Sequence, residues 1–168
     1  FRRSRGLGDV YKRQAEKRFA SDLPNDDFIY TRYGNPTIAM FEDKIAAIEG
    51  AEAAFATASG MAAVNGALMS MLSAGDHVVA ARALFGSCLY ILENILPSFG
   101  VRVTFVDGTD LNQWKKSISQ ETKVVFFESI SNPTLEVIDI KAVANIAKSV
   151  GALTCLLYTS PSPRDLLK

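Results

Sequence analysis

An α/β domain, with a mostly parallel sheet flanked by helices, is the fold class that three features of this sequence predict. Short apolar runs alternate with segments of helical periodicity along most of the chain. A dozen or more residues separate successive runs, the length that a parallel crossover requires. Glycines such as Gly50 and Gly75 stand where the periodic segments stop, as helix terminators do.

The elements follow in order. After an extended polar lead over residues 22–27, Asn35-Pro36-Thr37 opens a helix whose apolar positions are Ile38, Phe41, Ile45 and Ile48, with Thr37 as the N-cap and Gly50 as the terminator. Residues 53–57 form a first, short strand, and Ser59-Gly60 leads into a helix through Leu72. His77 to Ala81 is a second strand, 85–96 a helix, 101–106 a third strand, 111–118 a short helix and 123–128 a fourth strand. A helix over 140–150 follows, and Ala152-Leu153-Thr154 begins a fifth strand. Runs this apolar belong to a sheet covered on both faces.

Composition narrows the function classes. The chain of 168 residues is one domain's worth, and 18 Lys and Arg balance 18 Asp and Glu, so the electrostatic footprint of a nucleic-acid binder is missing. A small-molecule partner is expected instead. No apolar run approaches the roughly 20 residues that span a bilayer, and no secretory signal follows the basic start, so a cytoplasmic location without a membrane partner is expected. Cys88 falls among apolar neighbours and reads as a small buried hydrophobe; with Cys155 in an anomalous tail, no disulfide pair is expected. His77 has no companion ligands, reads as structural, and leaves no metal site.

The two ends read as foreign. Arg5 to Gln14 can be encoded by CGT GGG CTC GGA GAT GTG TAT AAG AGA CAG. The complementary strand, read one base in, encodes Cys-Leu-Leu-Tyr-Thr-Ser-Pro-Ser-Pro-Arg, which is the sequence from Cys155 to Arg164. Inverted copies of one DNA sequence at both ends resemble a transposase sequencing adapter read through as coding sequence. The expected organisation is therefore 1–14 adapter-derived, 15–36 an N-terminal arm, 37–154 a truncated ligand-binding large domain, and 155–168 adapter-derived.

Ligands of open α/β sheets bind at the carboxyl ends of strands, where helix N-termini offer free N–H groups and a positive dipole end. Ser59-Gly60-Met61 sits at such a place: Gly60 lets backbone approach a phosphate, while Ser59 can either cap the helix or donate its hydroxyl. Phe85 opens a helix on the same edge, where its ring either stacks on a planar cofactor or packs in the core. Glu128 ends the fourth strand, and Asn132, in the loop that Pro133 directs, can hydrogen-bond a planar ligand. Arg32, with Tyr30 two residues before it in an extended segment, shares a face from which both side chains reach one phosphate. A nucleotide-binding oxidoreductase would need a Gly-x-Gly-x-x-Gly after the first strand and an acid closing the second, and neither is present.

Taken together, Tyr30-Thr-Arg-Tyr-Gly-Asn-Pro-Thr37, Ala58-Ser-Gly-Met-Ala-Ala63 and Glu128-Ser-Ile-Ser-Asn-Pro-Thr134 resemble, in sequence, order and spacing, the pyridoxal-phosphate enzymes of cysteine and methionine metabolism. Ala83-Leu-Phe-Gly-Ser-Cys-Leu-Tyr90 and Gly108-Thr-Asp-Leu-Asn-Gln-Trp114 look most like its sulfhydrylase branch. The resemblance implies the large domain of fold-type I transferases and a pyridoxal 5′-phosphate cofactor. It implies Tyr30 and Arg32 on the phosphate of a neighbouring subunit, and Ser59, Gly60 and Met61 on the phosphate of their own. Phe85 would stack on the ring where many relatives carry Tyr, which puts a phenolic acid or base here in doubt. Asn132 would approach the ring's 3′-oxygen, supported by Glu128. A homodimer, usually paired into a homotetramer, is implied.

The implied reaction is γ-replacement in methionine biosynthesis: succinate leaves Cγ of O-succinylhomoserine and sulfide adds to give homocysteine. The other γ-synthase, γ-lyase and O-acetylhomoserine branches stay open. The lysine that holds the cofactor in this family has no counterpart among Lys115, Lys116, Lys123, Lys141 and Lys148, and the acid expected on the pyridine nitrogen falls just after Thr154. The polypeptide as written is therefore expected to have no catalytic residue of its own and no turnover.

Overall fold

The computed structural model describes Thr31 and residues 34–158, and divides the chain into two compact units, 1–56 and 57–168. In the first unit, helix α1 spans Pro36–Glu49. Its N-cap is Asn35 rather than Thr37: Asn35 Oδ1 accepts from the Thr37 N–H at 2.9 Å and the Ile38 N–H at 3.4 Å. Pro36 explains the shift. Its fixed φ suits the first helical position and it has no N–H to satisfy, so the cap moves to the residue before it. Gly50 ends the helix as expected, at φ 61°, a left-handed conformation that glycine adopts without a Cβ clash.

Residues 53–57 do not form the expected first strand. A strand exists only where a ladder partner is in register, and residues 53–57 pair with no strand among the described residues. Phe55, the largest residue of this run, is exposed.

The second unit holds the sheet. Helix α2, Gly60–Met71, turns into strand β1, His77–Ala81, every residue of which is buried. The helical stretch predicted over 85–96 is present in three parts: α3, Gly86–Tyr90, a π-helical turn, Ile91–Ile95, and a last turn α4, Leu96–Ser98. Pro97 accounts for the wide turn before it, since it cannot donate to the Glu93 carbonyl one turn back. Strand β2 is Arg102–Val106, helix α5 Leu111–Ser117, strand β3 Thr122–Glu128, helix α6 Ile140–Ser149 and strand β4 Leu153–Leu157. Asp110 and Asp139 cap α5 and α6 through their carboxylates.

All strand pairs are parallel, in the order β2-β1-β3-β4. β4 continues past Thr154, the predicted limit of the domain: Cys155, Leu156 and Leu157 pair with Phe126, Phe127 and Glu128. A ladder is made of backbone groups, so three apolar residues extend it whatever their origin.

Topology places the helices. The chain steps from β1 to β2 on one side, then crosses back to β3 and on to β4. Right-handed crossovers therefore put α3 and α4 on one face and α5 and α6 on the other. The contacts agree, with α2 against α3 and α5 against α6. Trp114, fully buried, anchors the α5 side: its ring meets Phe127 edge-on at 5.8 Å between centroids, and its indole N–H donates to the Gly108 carbonyl at 2.9 Å.

His77, at the amino end of β1, is buried between two hydroxyls: Thr122 Oγ1 lies 3.1 Å from Nδ1 and Thr104 Oγ1 2.9 Å from Nε2. Burial, reinforced by the Arg102 charge and partly opposed by Glu121, holds its pKa below 6.5. The unfolded chain thus takes up the proton more readily than the folded one. Stability is expected to be full above about pH 6.5 and to fall as the pH drops from there through the folded value. Urea denaturation midpoints across that window check this; His77→Gln, which leaves no histidine in the chain, should lose this component of the slope.

Candidate cofactor site

The order β2-β1-β3-β4 reverses its direction of travel between β1 and β3. The loop leaving the carboxyl end of β1 goes to one face and the loop leaving β3 goes to the other. The crevice where such loops diverge is the standard ligand position of an open α/β sheet.

The predicted residues of this unit converge on that edge. Helix α2 runs into the amino end of β1, so its own N-terminus lies toward the carboxyl edge. Ser59 Oγ accepts from the Ala62 N–H at 3.2 Å, which fulfils the capping alternative and leaves its hydroxyl proton free to donate. The Gly60 and Met61 N–H groups take no partner among the described residues, as expected at a first helical turn. A Cβ built on Gly60 would meet nothing within 4 Å, and its backbone is not left-handed. Neither the fold nor backbone strain demands glycine there, and the open space beside it leaves room for a ligand to approach the backbone.

Phe85 precedes α3 with 44% of its surface exposed, which decides against a core role. Glu128, at the last position of β3, is 4% exposed. Its Oε1 accepts from the Phe85 N–H at 2.8 Å and its Oε2 from the Asn132 N–H at 2.9 Å. Glu128 therefore faces backbone amides of the two diverging loops rather than solvent. Asn132 is exposed, and its side-chain amide makes no hydrogen bond among the described residues; the Asn132–Pro133 peptide is cis. The rest of the loop is tied by the Ser131 hydroxyl, which contacts the Thr134 hydroxyl and accepts from the Glu136 N–H at 2.9 Å.

Cys88, one turn into α3, is buried, and burial together with the Glu128 charge pushes its thiol up to about 11. It is a protonated packing residue, as its sequence context indicated. Tyr30 and Arg32 lie outside the described residues. Among the described residues no cluster of His, Cys, Asp and Glu could hold a metal, and no helix is long and apolar enough to cross a membrane.

The set fits a planar ring carrying a phosphate. Unpaired N–H groups at a helix start with an open glycine suit the phosphate, an exposed aromatic ring suits the face, and a free amide suits the edge. Comparison with known proteins agrees: residues 9–166 match the family of Cys/Met metabolism PLP-dependent enzymes. The chain belongs to that family. Its cofactor is pyridoxal phosphate.

Among similar proteins, an O-succinylhomoserine sulfhydrylase of Mycobacterium tuberculosis (strain CDC 1551 / Oshkosh) is 54% identical over 142 residues, covering 84% of this chain and 34% of that protein. An L-methionine gamma-lyase of Fusobacterium nucleatum subsp. polymorphum is 43% identical over 134 residues, 80% of this chain and 33% of that protein. A crystal structure of an O-acetylhomoserine (thiol)-lyase from Campylobacter jejuni, containing N′-pyridoxyl-lysine-5′-monophosphate, superposes with a TM-score of 0.79 at 34% identity, over 91% of this chain and 37% of that one. The chain thus spans about a third of the length of the curated relatives it matches.

Sequence reasoning found the residue types at this edge and missed how Glu128 is engaged. Its partners are main-chain N–H groups, which carry no sequence signal; the one hint was a carboxylate closing an otherwise apolar strand.

Proposed function

We propose that this chain carries the phosphate-cup and ring-face half of a pyridoxal-phosphate site, in a protein that converts O-succinylhomoserine and sulfide to homocysteine and succinate by γ-replacement. The observation that carries it is the convergence of the α2 N-terminus, Phe85 and Asn132 at the β1/β3 crevice. The sulfhydrylase branch is supported by the 54% identity to a protein of that name. L-methionine gamma-lyase, the name of a relative at 43%, is the second reading.

When bound, the cofactor supplies an electron sink for bonds made and broken on an amino-acid substrate. The chain's own residues hold and orient. The Gly60 and Met61 N–H groups, at the positive end of α2, neutralise phosphate charge, and the Ser59 hydroxyl adds a donor. Phe85 covers one ring face and excludes water from it, but having no phenolic hydroxyl it moves no proton. Asn132 donates its amide to the ring-edge oxygen. Tyr30 and Arg32 are assigned to the phosphate of a neighbouring subunit in a cytoplasmic homodimer, paired into a homotetramer. The lysine and the pyridine-nitrogen acid are assigned to the remainder of the whole protein, and residues 1–14 and 155–168 to adapter read-through.

Two measurements test this. Equilibrium dialysis of the chain should show saturable uptake of pyridoxal phosphate, competed by inorganic phosphate and much weaker for pyridoxal. The whole protein should release succinate from O-succinylhomoserine with sulfide, and no methanethiol from methionine. A folded chain with no saturable uptake sinks the site; methanethiol release in place of succinate release shifts the branch to the lyase.

A further inference from the structure

We propose that Glu128 is a positioning residue whose two carboxylate oxygens, by holding the Phe85 and Asn132 amides, fix the gap between the ring-face and ring-edge residues of the cofactor site. This rests on the function proposed above.

The two loops leave neighbouring strands for opposite faces of the sheet, so their natural tendency is to part. Among the hydrogen bonds of the described residues, only those of Glu128 join them: the Phe85 N–H at 2.8 Å on one oxygen and the Asn132 N–H at 2.9 Å on the other. The remaining bonds of the second loop are internal, such as Ser131 with Glu136, or run to β4, as the Ser129 N–H does to the Leu157 carbonyl.

The chemistry demands a carboxylate. Two N–H donors approach from two sides, and only a group with an acceptor at each end satisfies both. Glutamine offers one oxygen and one NH2, and the NH2 would confront an N–H. No Lys or Arg among the described residues forms an ion pair with Glu128, although it is 4% exposed. Burying a carboxylate without a cation is costly, and two charge-assisted N–H bonds are what offset it. The Cys88 thiol, raised in part by the Glu128 charge, stays protonated nearby and adds no second anion.

The anchored atoms matter because of what they carry. Fixing the Phe85 amide fixes the Cα from which its exposed ring projects, and fixing the Asn132 amide does the same for its free carboxamide. The α2 phosphate cup shares none of these bonds. Glu128 should therefore govern how the ring is held and leave phosphate capture alone.

The test compares the wild-type chain with Glu128→Gln and Glu128→Asp. Three readouts are taken: amide hydrogen exchange at Phe85 and Asn132, induced circular dichroism of bound pyridoxal phosphate, and affinities for pyridoxal phosphate and for inorganic phosphate. In Glu128→Gln at least one of the two amides should exchange faster. The induced signal should fall by more than half and the cofactor bind about tenfold more weakly, with inorganic phosphate binding unchanged. Glu128→Asp keeps both acceptors on a shorter stem and should fall between. A folded Glu128→Gln whose induced signal and cofactor affinity match wild type overturns this role. So does loss of fold in both variants, which would make Glu128 a stability residue only. A wild-type chain that takes up no pyridoxal phosphate overturns the function proposed above, and this role with it.

Discussion

Trp114→Ala is expected to lower the unfolding free energy by about 3–5 kcal/mol, the range for deleting a fully buried large aromatic. Trp114 has no solvent exposure, fills the space between α5 and the sheet, and meets Phe127 edge-on. Its replacement by a methyl leaves a void that close-packed strands β2 and β3 cannot collapse into. It also strands an acceptor, since the Gly108 carbonyl takes the indole N–H at 2.9 Å. Gly108 sits in a tight setting: a Cβ there would lie 2.6 Å from Ile138 Cδ1 and 3.2 Å from Ala81 Cβ. Domains of this size are stable by only about 5–15 kcal/mol, so the loss takes a large part of the margin. Urea denaturation followed by far-UV circular dichroism checks it. Trp114→Phe separates the two contributions, keeping most of the volume while orphaning the carbonyl, at about 1–3 kcal/mol. A loss under about 1.5 kcal/mol for the alanine variant would show that the site relaxes and that this packing account is wrong.

Gly60→Val should do the reverse, abolishing cofactor capture while leaving the fold intact. Space around Gly60 is open and its backbone is ordinary, so a Cβ there meets nothing within 4 Å. Glycine is also the poorer helix former, and a change within about 0.5 kcal/mol of stability is expected. Yet the added methyl groups stand where a phosphate must come to reach the Gly60 and Met61 N–H groups. Hydrogen bonds to a charged partner contribute about 1.5–3 kcal/mol each. Losing two of them weakens pyridoxal-phosphate binding by at least about a hundredfold. Dialysis and thermal denaturation on the same preparation read the two effects. Unchanged affinity in a well-folded variant removes the α2 N-terminus from the phosphate site.

What the sequence made legible follows from where each signal resides. β1 and β3 stand out because strands covered on both faces must be apolar, and Val78, Val79, Val124, Val125 and Phe126 are all buried. The start of α2 was legible because Ser59 before Gly60 is a local cap chemistry. The strand expected over residues 53–57 was not decidable locally, since five apolar residues say nothing about whether a partner is in register. The cap of α1 was displaced by one competing local rule, the preference of Pro36 for the first helical position. The π-helical turn before Pro97 reads in sequence as continuous helix, because one extra residue in a single turn is too small a break in the apolar pattern to stand out. At the candidate site, Phe85, Glu128 and Asn132 were nameable from position at strand ends. The bonds that join them were not, because they pair a side chain with main-chain groups up to 43 residues away.

β4 carries one more implication, for the behaviour of the molecule in solution. It is the last strand in the order β2-β1-β3-β4, so no strand among the described residues pairs with its outer edge. Its residues, Leu153, Thr154, Cys155, Leu156 and Leu157, include no lysine, no proline and no charge, the devices by which natural sheet edges refuse company. Such an edge is colloidally sticky: it offers a ready template of N–H and C=O groups with apolar side chains above and below. Self-association that grows with concentration is the expected result, and light scattering over a dilution series checks it.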